Sequence, residues 1–358
     1  MRSLPLNHLP SLMILALCSC ALAQTPDAAT IKTDVKSVML PTTVRDKHGK
    51  TVTDLTVDDF VLSDDGKPQH IDYFSHDTNL PLTLGLLVDT SMSQHDVLPE
   101  ERRASQHFLD QMMTDPKDKA FIIQFDREVE LLQDITDAKD KLHDALDKVA
   151  APQFASASSG DDSGGHHGGG TTLYDAVFLA SDELLRKQPG RKAIIVLTDG
   201  VDRGSKETLN SAIEAAQRSD TAVYAIYFKG AEQNYNNPGM GRRRGGMGGG
   251  GWPGGGGGYP GGGGGYPGGG GGQRPEQTHV DGKKILQQLC GETGGMMFEA
   301  KKQKVDEVYT SIAEELRSQY ILAFTPDKAA EPGFHKLALT VKKKDMTVQT
   351  RAGYYVGQ

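Results

Sequence analysis

Short apolar runs alternate with amphipathic helical patterns between residues 81 and 300, and this alternation constrains the fold more than any other feature of the chain. The runs are nearly continuous in apolar residues, which is typical of strands buried on both faces of a parallel sheet. They span residues 84–88, 120–123, 193–197 and 222–228. Strands that alternate with helices need right-handed crossovers, so we predict an α/β fold with a doubly wound, mostly parallel six-stranded sheet and helices on both faces.

The helical stripes and one further strand complete this prediction. Apolar residues recur at helical spacing over residues 173–184, 209–216 and 305–316, as expected for helices that each bury one face. Residues 129–132 follow the second strand after a short gap. We interpret them as an antiparallel partner at the edge of the sheet.

Both flanks of this α/β domain, which we place at residues 80–318, carry the alternating pattern of half-buried strands. Residues 38–44 alternate near the N-terminus, and residues 337–341 alternate near the C-terminus. Neither flank is long enough to make a stable sheet alone. We therefore predict that segments 30–78 and 319–358 pair into one small β domain, which the α/β domain splits in sequence.

Residues 1–23 have the pattern of a signal peptide. Arg2 is followed by a mostly apolar stretch, and Ala21 and Ala23 satisfy the small-x-small cleavage rule, so Gln24 is expected as the first mature residue. The apolar stretch is too short for a spanning helix, and we predict no transmembrane helix in the mature chain. The protein is thus expected to be secreted, periplasmic or on the cell surface. Lipidation at Cys20 is a second export hypothesis, which we rank below simple secretion.

Composition limits the remaining possibilities. The formal net charge of -8 argues against a nucleic-acid-binding surface, which would need a basic stripe. After cleavage only Cys290 remains, so no internal disulfide is expected, and Cys290 is interpreted as a small buried hydrophobe.

Many of the 43 glycines lie in the low-complexity stretch 237–273, which we predict to be a disordered insertion. Tethering through its exposed aromatic residues is the alternative.

Polar residues that suit a hard cation stand at the ends of three predicted elements. Asp89, Ser91 and Ser93 are spaced by two at the carboxyl end of the first strand. Thr171 follows three glycines at the start of a helix. Asp199 lies two residues after the apolar run 193–197 and is followed by a glycine. Carboxylate and hydroxyl oxygens suit Mg²⁺, Mn²⁺ or Ca²⁺ and are poor zinc ligands.

The predicted topology brings these residues together. In a doubly wound sheet the first and fourth strands are neighbours where the winding reverses, and ligands bind there, outside the carboxyl ends. Asp89 and Asp199 close these two strands. We therefore predict one divalent-metal site, with Mg²⁺ as the first choice, built from Asp89, Ser91, Ser93, Thr171 and Asp199.

The three motifs resemble the metal-ion-dependent adhesion site of von Willebrand factor A and integrin I domains. They are Asp89-x-Ser91-x-Ser93, the Thr171 of Gly-Gly-Thr-x-Leu, and the Asp199 of Thr-Asp-Gly, and the resemblance covers about residues 81–316. It implies that Ser91, Ser93 and Thr171 bind the metal directly, Thr171 in the ligand-bound state, while Asp89 and Asp199 act largely through water.

The flanks are similar to a family of exported bacterial proteins, the von Willebrand factor A-related acidobacterial domain. The similarity lies in Val-Arg-Asp-x-x-Gly, Asp59-Phe60, Asp65-Gly66-Lys67 and the terminal Arg351-Ala352-Gly353-Tyr354-Tyr355. No molecular role follows from this similarity.

Three functional hypotheses remain. The first is a binding module in which a partner protein supplies an Asp or Glu carboxylate to the metal. The second is a metal-dependent enzyme for phosphoryl transfer or hydrolysis; it is disfavoured because no second Asp stands two positions after Asp89 and no Lys follows a phosphate-binding glycine loop. The third is a metal-free scaffold. We predict a non-enzymatic protein with no catalytic residues.

Other polar residues receive structural interpretations. His166 and His167, beside Asp161 and Asp162, could bind a transition metal but are expected to be solvent-exposed. Asp126 is interpreted as a turn residue and Asp175 as a residue of the first turn of a helix.

Overall fold

The computed structural model describes residues 37–76, 80–150, 170–229, 281–300, 305–327 and 331–357. The predicted signal peptide, the glycine-rich insertion 237–273 and the histidines His166 and His167 lie outside these residues. Within the described ranges no helix is both long enough and apolar enough to cross a bilayer.

The described residues form fourteen strands and six helices that we number in chain order. The N-terminal elements are β1 (Val38–Asp46), a single 3-10 turn (Val57–Asp59), β2 (Phe60–Asp64), β3 (Lys67–Gln69) and β4 (Tyr73–Ser75). The middle of the chain contains β5 (Leu82–Asp89), α1 (Leu98–Met112), β6 (Lys119–Phe125), β7 (Val129–Thr136), α2 (Lys139–Lys148), α3 (Leu173–Leu179, continued by a π-helical stretch Ala180–Leu185), β8 (Arg191–Thr198), α4 (Leu209–Arg218), β9 (Thr221–Phe228), α5 (Gly282–Thr293) and β10 (Met297–Ala300). The C-terminal elements are α6 (Val305–Arg317), β11 (Tyr320–Phe324), β12 (Gly333–Val341), β13 (Met346–Gln349) and β14 (Gly353–Val356).

The central sheet has six strands in the order β10-β9-β8-β5-β6-β7. Its pairs are parallel except β6 with β7, so the doubly wound α/β fold and the antiparallel edge strand predicted from the sequence are confirmed. Side chains of α1, α2 and α6 pack on one face of the sheet, and those of α3, α4 and α5 pack on the other. Cys290 belongs to the second of these cores and is 1% exposed, as predicted.

The two flanks pair with each other, which confirms the predicted β region built from both ends of the described chain. One four-stranded sheet has the order β13-β1-β11-β4, and a second has the order β14-β12-β2-β3. Each sheet therefore mixes N-terminal with C-terminal strands. Both contribute to one apolar core, because strands such as β1, β2, β11 and β12 turn alternate side chains inward.

Arg351 connects this terminal β region to the α/β region. Its guanidinium pairs with Asp220, and it also donates to the carbonyls of Gln217 (2.7 Å) and Gly353 (2.7 Å). The Arg351 side chain is 6% exposed. A buried guanidinium with this many partners holds the chain just before β14 against the end of α4.

We expect Arg351→Ala to lower the free energy of unfolding by about 3 kcal/mol, because it removes the ion pair with Asp220 and the donor to a buried carbonyl. Arg186→Ala is the matched control: Arg186 also pairs with an aspartate, Asp182, but at the surface (48% exposed), so its loss should change stability by less than about 1 kcal/mol. Denaturant unfolding of the two variants measures the difference. Equal effects would contradict the anchoring role of Arg351.

Candidate metal centre

Asp89 lies at the carboxyl end of β5, where this strand pairs with β8. The register pairs Val88 with Leu197, so Asp89 comes next to Thr198 on the neighbouring strand. The Thr198 hydroxyl donates to Asp89 Oδ2 (2.6 Å), and the backbone N–H of Ser91 donates to Asp89 Oδ1 (2.9 Å). Both carboxylate oxygens are therefore held in place by the protein, and the side chain is fully buried.

The two serines of the loop after β5 present their hydroxyls side by side. Ser91 Oγ and Ser93 Oγ are 3.1 Å apart, and the Gln94 amide donates to Ser93 Oγ at 3.4 Å. Adjacent ligands of an octahedral Mg²⁺ at its usual bond lengths are separated by about 2.9 Å. The spacing of the two hydroxyls thus fits neighbouring positions around one small cation.

Thr171 is positioned by the loops that follow β6 and β8. Its carbonyl accepts hydrogen bonds from the backbone N–H groups of Arg203 (3.0 Å) and Gly204 (3.1 Å), and the next residue, Thr172, donates its N–H to the carbonyl of Asp126 (2.7 Å). Thr171 is 7% exposed, and no hydrogen bond from its hydroxyl to another described residue is present. A hydroxyl left without a protein partner is available for a ligand.

Asp199 follows β8 directly. One of its oxygens accepts the N–H of Val201 at 3.0 Å, and the residue is half-buried. Burial is the main reason that the pKa of Asp89 is raised, and the negative charge of Asp199 adds to this shift. The structure therefore brings Asp89, Ser91 and Ser93 into one hydrogen-bonded loop, with Asp199 beside them and Thr171 fixed by the loop that Asp199 begins.

Asp126 and Asp175 lie where the sequence interpretation placed them, in a turn and in the first turn of a helix. Asp126 occupies the turn between β6 and β7, where its carboxylate accepts the N–H groups of Arg127 and Glu128. Asp175 lies in the first turn of α3 and accepts the N–H groups of Lys206 and Glu207.

The electrostatics of the site favour a cation. Burial raises the pKa of Asp89 to about 6; hydrogen bonds from Ser91 and Thr198 oppose this shift, and the charge of Asp199 adds to it. Ionisation of Asp89 at neutral pH therefore costs folding free energy, and a nearby positive charge would offset this cost.

Glu101, in the first turn of α1, was not identified from the sequence. It is 1% exposed, and neither carboxylate oxygen has a hydrogen-bond partner in the described structure. Burial and the charge of Asp89 raise its pKa well above the usual value. The available signal was its position: Glu101 falls in the buried stripe that includes Leu98, Ser105 and Phe108, and a charge in such a stripe needs a reason.

One family model matches the part of the chain that contains these residues. Residues 84–201, which contain all five predicted site residues, match the family model described as the von Willebrand factor type A domain. No curated protein matches the chain.

Several solved structures are similar to the chain at low identity. BatB, a conserved hypothetical protein from Bacteroides thetaiotaomicron, is 15% identical, with a TM-score of 0.40 over 66% of this chain and 97% of that chain. Proximal thread matrix protein 1 from the mussel byssus is 13% identical, with a TM-score of 0.44 over 71% and 51%. The vWF domain of the type V pili tip protein Mfa5 from Porphyromonas gingivalis is 10% identical, with a TM-score of 0.43 over 66% and 94%.

We expect Asp89→Asn to stabilise the protein in chelator at pH 8. Because the folded-state pKa of Asp89 is raised, its ionisation disfavours folding as pH rises from about 4 to above about 6, by up to about 3 kcal/mol. The asparagine removes this charge but loses about 1 kcal/mol of hydrogen bonding, which leaves a gain of about 2 kcal/mol.

This gain should vanish below about pH 4, where the wild-type carboxyl is protonated in both folded and unfolded chains. Denaturant unfolding in EDTA at pH 8 and at pH 4 measures both values. The exposed Asp144 on α2 provides the control: Asp144→Asn should change neither. Destabilisation by Asp89→Asn at pH 8 would show that the buried charge is compensated without a cation.

Proposed function

This chain carries a von Willebrand factor type A domain at residues 84–201, and we propose that it is an exported protein-binding module. In this proposal a divalent cation at Asp89, Ser91, Ser93, Thr171 and Asp199 captures an Asp or Glu carboxylate of a protein partner. Mg²⁺ is the proposed cation, with Mn²⁺ and Ca²⁺ as alternatives, because every candidate donor is an oxygen.

The observation that carries the proposal is the state of the Asp89 carboxylate. Both of its oxygens already accept hydrogen bonds, from Thr198 and from the N–H of Ser91. Asp89 would therefore act on the cation mainly through water, and the direct protein ligands would be neutral hydroxyls. A cation held by neutral oxygens retains most of its charge, so it would attract an external carboxylate.

The surface around the loop supports a protein as the partner. Met92 lies between the two serines and is 55% exposed. An exposed thioether beside a charged centre offers apolar contact area, and methionine is enriched in the contacts of protein interfaces. The partner would thus meet the cation with a carboxylate and Met92 with an apolar group.

Catalysis is a weaker hypothesis. Metal-dependent hydrolysis would need a general base that reaches the substrate. Glu101, the buried carboxyl that interacts with Asp89, has both oxygens enclosed by protein, so it lacks that access. Export remains an inference from residues 1–23.

Metal titration tests the site. We expect Asp89→Ala and Asp199→Ala to weaken Mg²⁺ and Mn²⁺ binding by about 100-fold or more, since each removes negative charge that the cation needs. Ser91→Ala, Ser93→Ala and Thr171→Ala each remove one neutral ligand and should have smaller effects, on the order of tenfold. Calorimetric titration measures each affinity, and Asp144→Ala serves as the control. A folded Asp89→Ala protein that binds metal as tightly as wild type would refute the assignment.

Partner capture tests the function separately. The full chain should capture a partner from its native cell-surface fraction in Mg²⁺ but not in EDTA, and the Asp89→Ala variant should capture none in either buffer. Met92→Ser should weaken capture several-fold while leaving the Mg²⁺ affinity unchanged, because Met92 would contact the partner and not the cation. Capture that is the same in EDTA and for Asp89→Ala would exclude a metal-dependent interaction.

A further inference from the structure

A second cluster of candidate metal ligands lies in the terminal β region, away from the loop after β5. Asp64 ends β2, Asp65 begins the turn to β3, and His335 lies in β12, which pairs with β2. One ligand atom of each residue lies within 4.8 Å of the others. The turn is tight, with positive φ at Asp65 (47°) and Gly66 (78°), and it directs both carboxylates toward the same histidine.

The separations suit a small cation. His335 Nδ1 is 2.9 Å from Asp65 Oδ2 and 3.8 Å from Asp64 Oδ1. In a tetrahedral zinc site with ordinary bond lengths, ligand atoms are separated by about 3.3 Å. The observed distances lie on either side of this value, so a cation bound among the three atoms would need only small side-chain adjustments.

Asp64 supplies a second observation that points to a ligand. It is 7% exposed, its Oδ2 accepts the hydroxyl of Tyr354 at 2.7 Å, and its Oδ1 has no hydrogen-bond partner in the described part of the chain. Oδ1 is the atom that faces His335. A buried carboxylate oxygen without a donor is costly, and a positive charge at this position would compensate it.

His335 is oriented as a metal-binding histidine would be. Its Nε2 lies 2.7 Å from the carbonyl of Glu331, which can only accept, so Nε2 carries the proton. Its ring stacks on Tyr354, with centroids 5.2 Å apart and an interplanar angle of 27°. Nδ1 is left to face the two carboxylates. In known sites the second ring N–H of a metal ligand usually donates to a carbonyl or carboxylate, which fixes the ring in this way.

We propose that Asp64, Asp65 and His335 form a second metal site, which binds a divalent transition metal of the zinc class. An imidazole nitrogen with two carboxylates suits Zn²⁺ better than Mg²⁺, whereas the all-oxygen centre after β5 has the opposite preference. The site joins residues that are 271 positions apart in the chain. Metal bound only by the folded state would therefore stabilise the pairing of the two flanks.

A second proton on Nδ1 is the competing occupant. It would make His335 an imidazolium paired with Asp65, and the Glu331 carbonyl together with the two aspartates does raise the pKa of His335. Proton and metal occupy the same position, so the experiment must separate them. At pH 8 the proton competes least.

The experiment uses the full chain at pH 8 with saturating Mg²⁺, which would occupy the centre proposed after β5. Calorimetric titration with Zn²⁺ should show one additional site, and a hundredfold excess over its dissociation constant should raise the melting temperature by about 5 °C. Co²⁺ in place of Zn²⁺ should produce visible absorption bands typical of low-coordinate nitrogen and oxygen ligation.

Asp65→Asn is the principal variant, because Asp65 is half-exposed and the asparagine can still accept the N–H of Lys336 at Oδ1. It should weaken Zn²⁺ binding at least tenfold and abolish the Co²⁺ bands, and His335→Gln should do the same. His143→Gln is the matched control: His143 also contacts a carboxylate, Asp110 at 3.2 Å, but only one, and its loss should leave Zn²⁺ binding intact. Circular dichroism verifies that each variant is folded.

Three outcomes would overturn the proposal. Absence of Zn²⁺ binding by the wild-type chain at pH 8 would assign the cluster to a proton-mediated ion pair. Unchanged Zn²⁺ affinity in folded Asp65→Asn and His335→Gln proteins would exclude these ligands. Loss of Zn²⁺ binding in a His166→Ala/His167→Ala double variant, with Asp65→Asn unaffected, would assign the metal to His166 and His167.

Discussion

The hydrogen bond from Thr198 to the buried carboxylate of Asp89 is the contact on which the candidate centre depends. It exists only because β5 and β8 are neighbours in the sheet, and this adjacency follows from the reversal of winding between them. The bond orients Asp89, the Ser91 N–H holds its other oxygen, and the tight loop then sets the two serine hydroxyls 3.1 Å apart. A change of strand order would separate Thr198 and Asp199 from Asp89 and the two serines.

The same region holds two buried acids with no counter-charge among the described residues. Burial is the main cause of the raised pKa values of Asp89 and Glu101, and a neighbouring acid adds to each shift. Such an arrangement opposes folding at neutral pH, since buried carboxylates without counter-charges are unfavourable. Local instability of this kind is common at functional sites, and here a bound cation would compensate the charge of the buried carboxylate. In the terminal β region the unpartnered oxygen of Asp64 poses the same problem on a smaller scale.

The sequence predicted the α/β region well because its signals are local and repeated. Continuous apolar runs identified β5, β6, β8 and β9, and the stripes at 173–184 and 305–316 identified two of the covering helices. The pairing of the flanks was also predictable, because neither end could make a sheet alone. Short strands were harder: β3 and β10 have three and four residues, and so few positions give no clear period. Metal binding by the five loop residues stays a prediction.

By itself, the sequence determined which residues could serve as ligands and where the buried strands lie, because both depend on residue type and on spacing along the chain. Only the tertiary structure decided which acidic side chains are buried and which of them meet the candidate ligands. Glu101 stands in the stripe of α1 that becomes buried, but only the packing of α1 against the sheet removes both of its oxygens from water. His335 meets Asp64 and Asp65 only through the pairing of β2 with β12, across 271 positions. Contacts of this kind depend on packing and strand register, which no local pattern in the chain encodes.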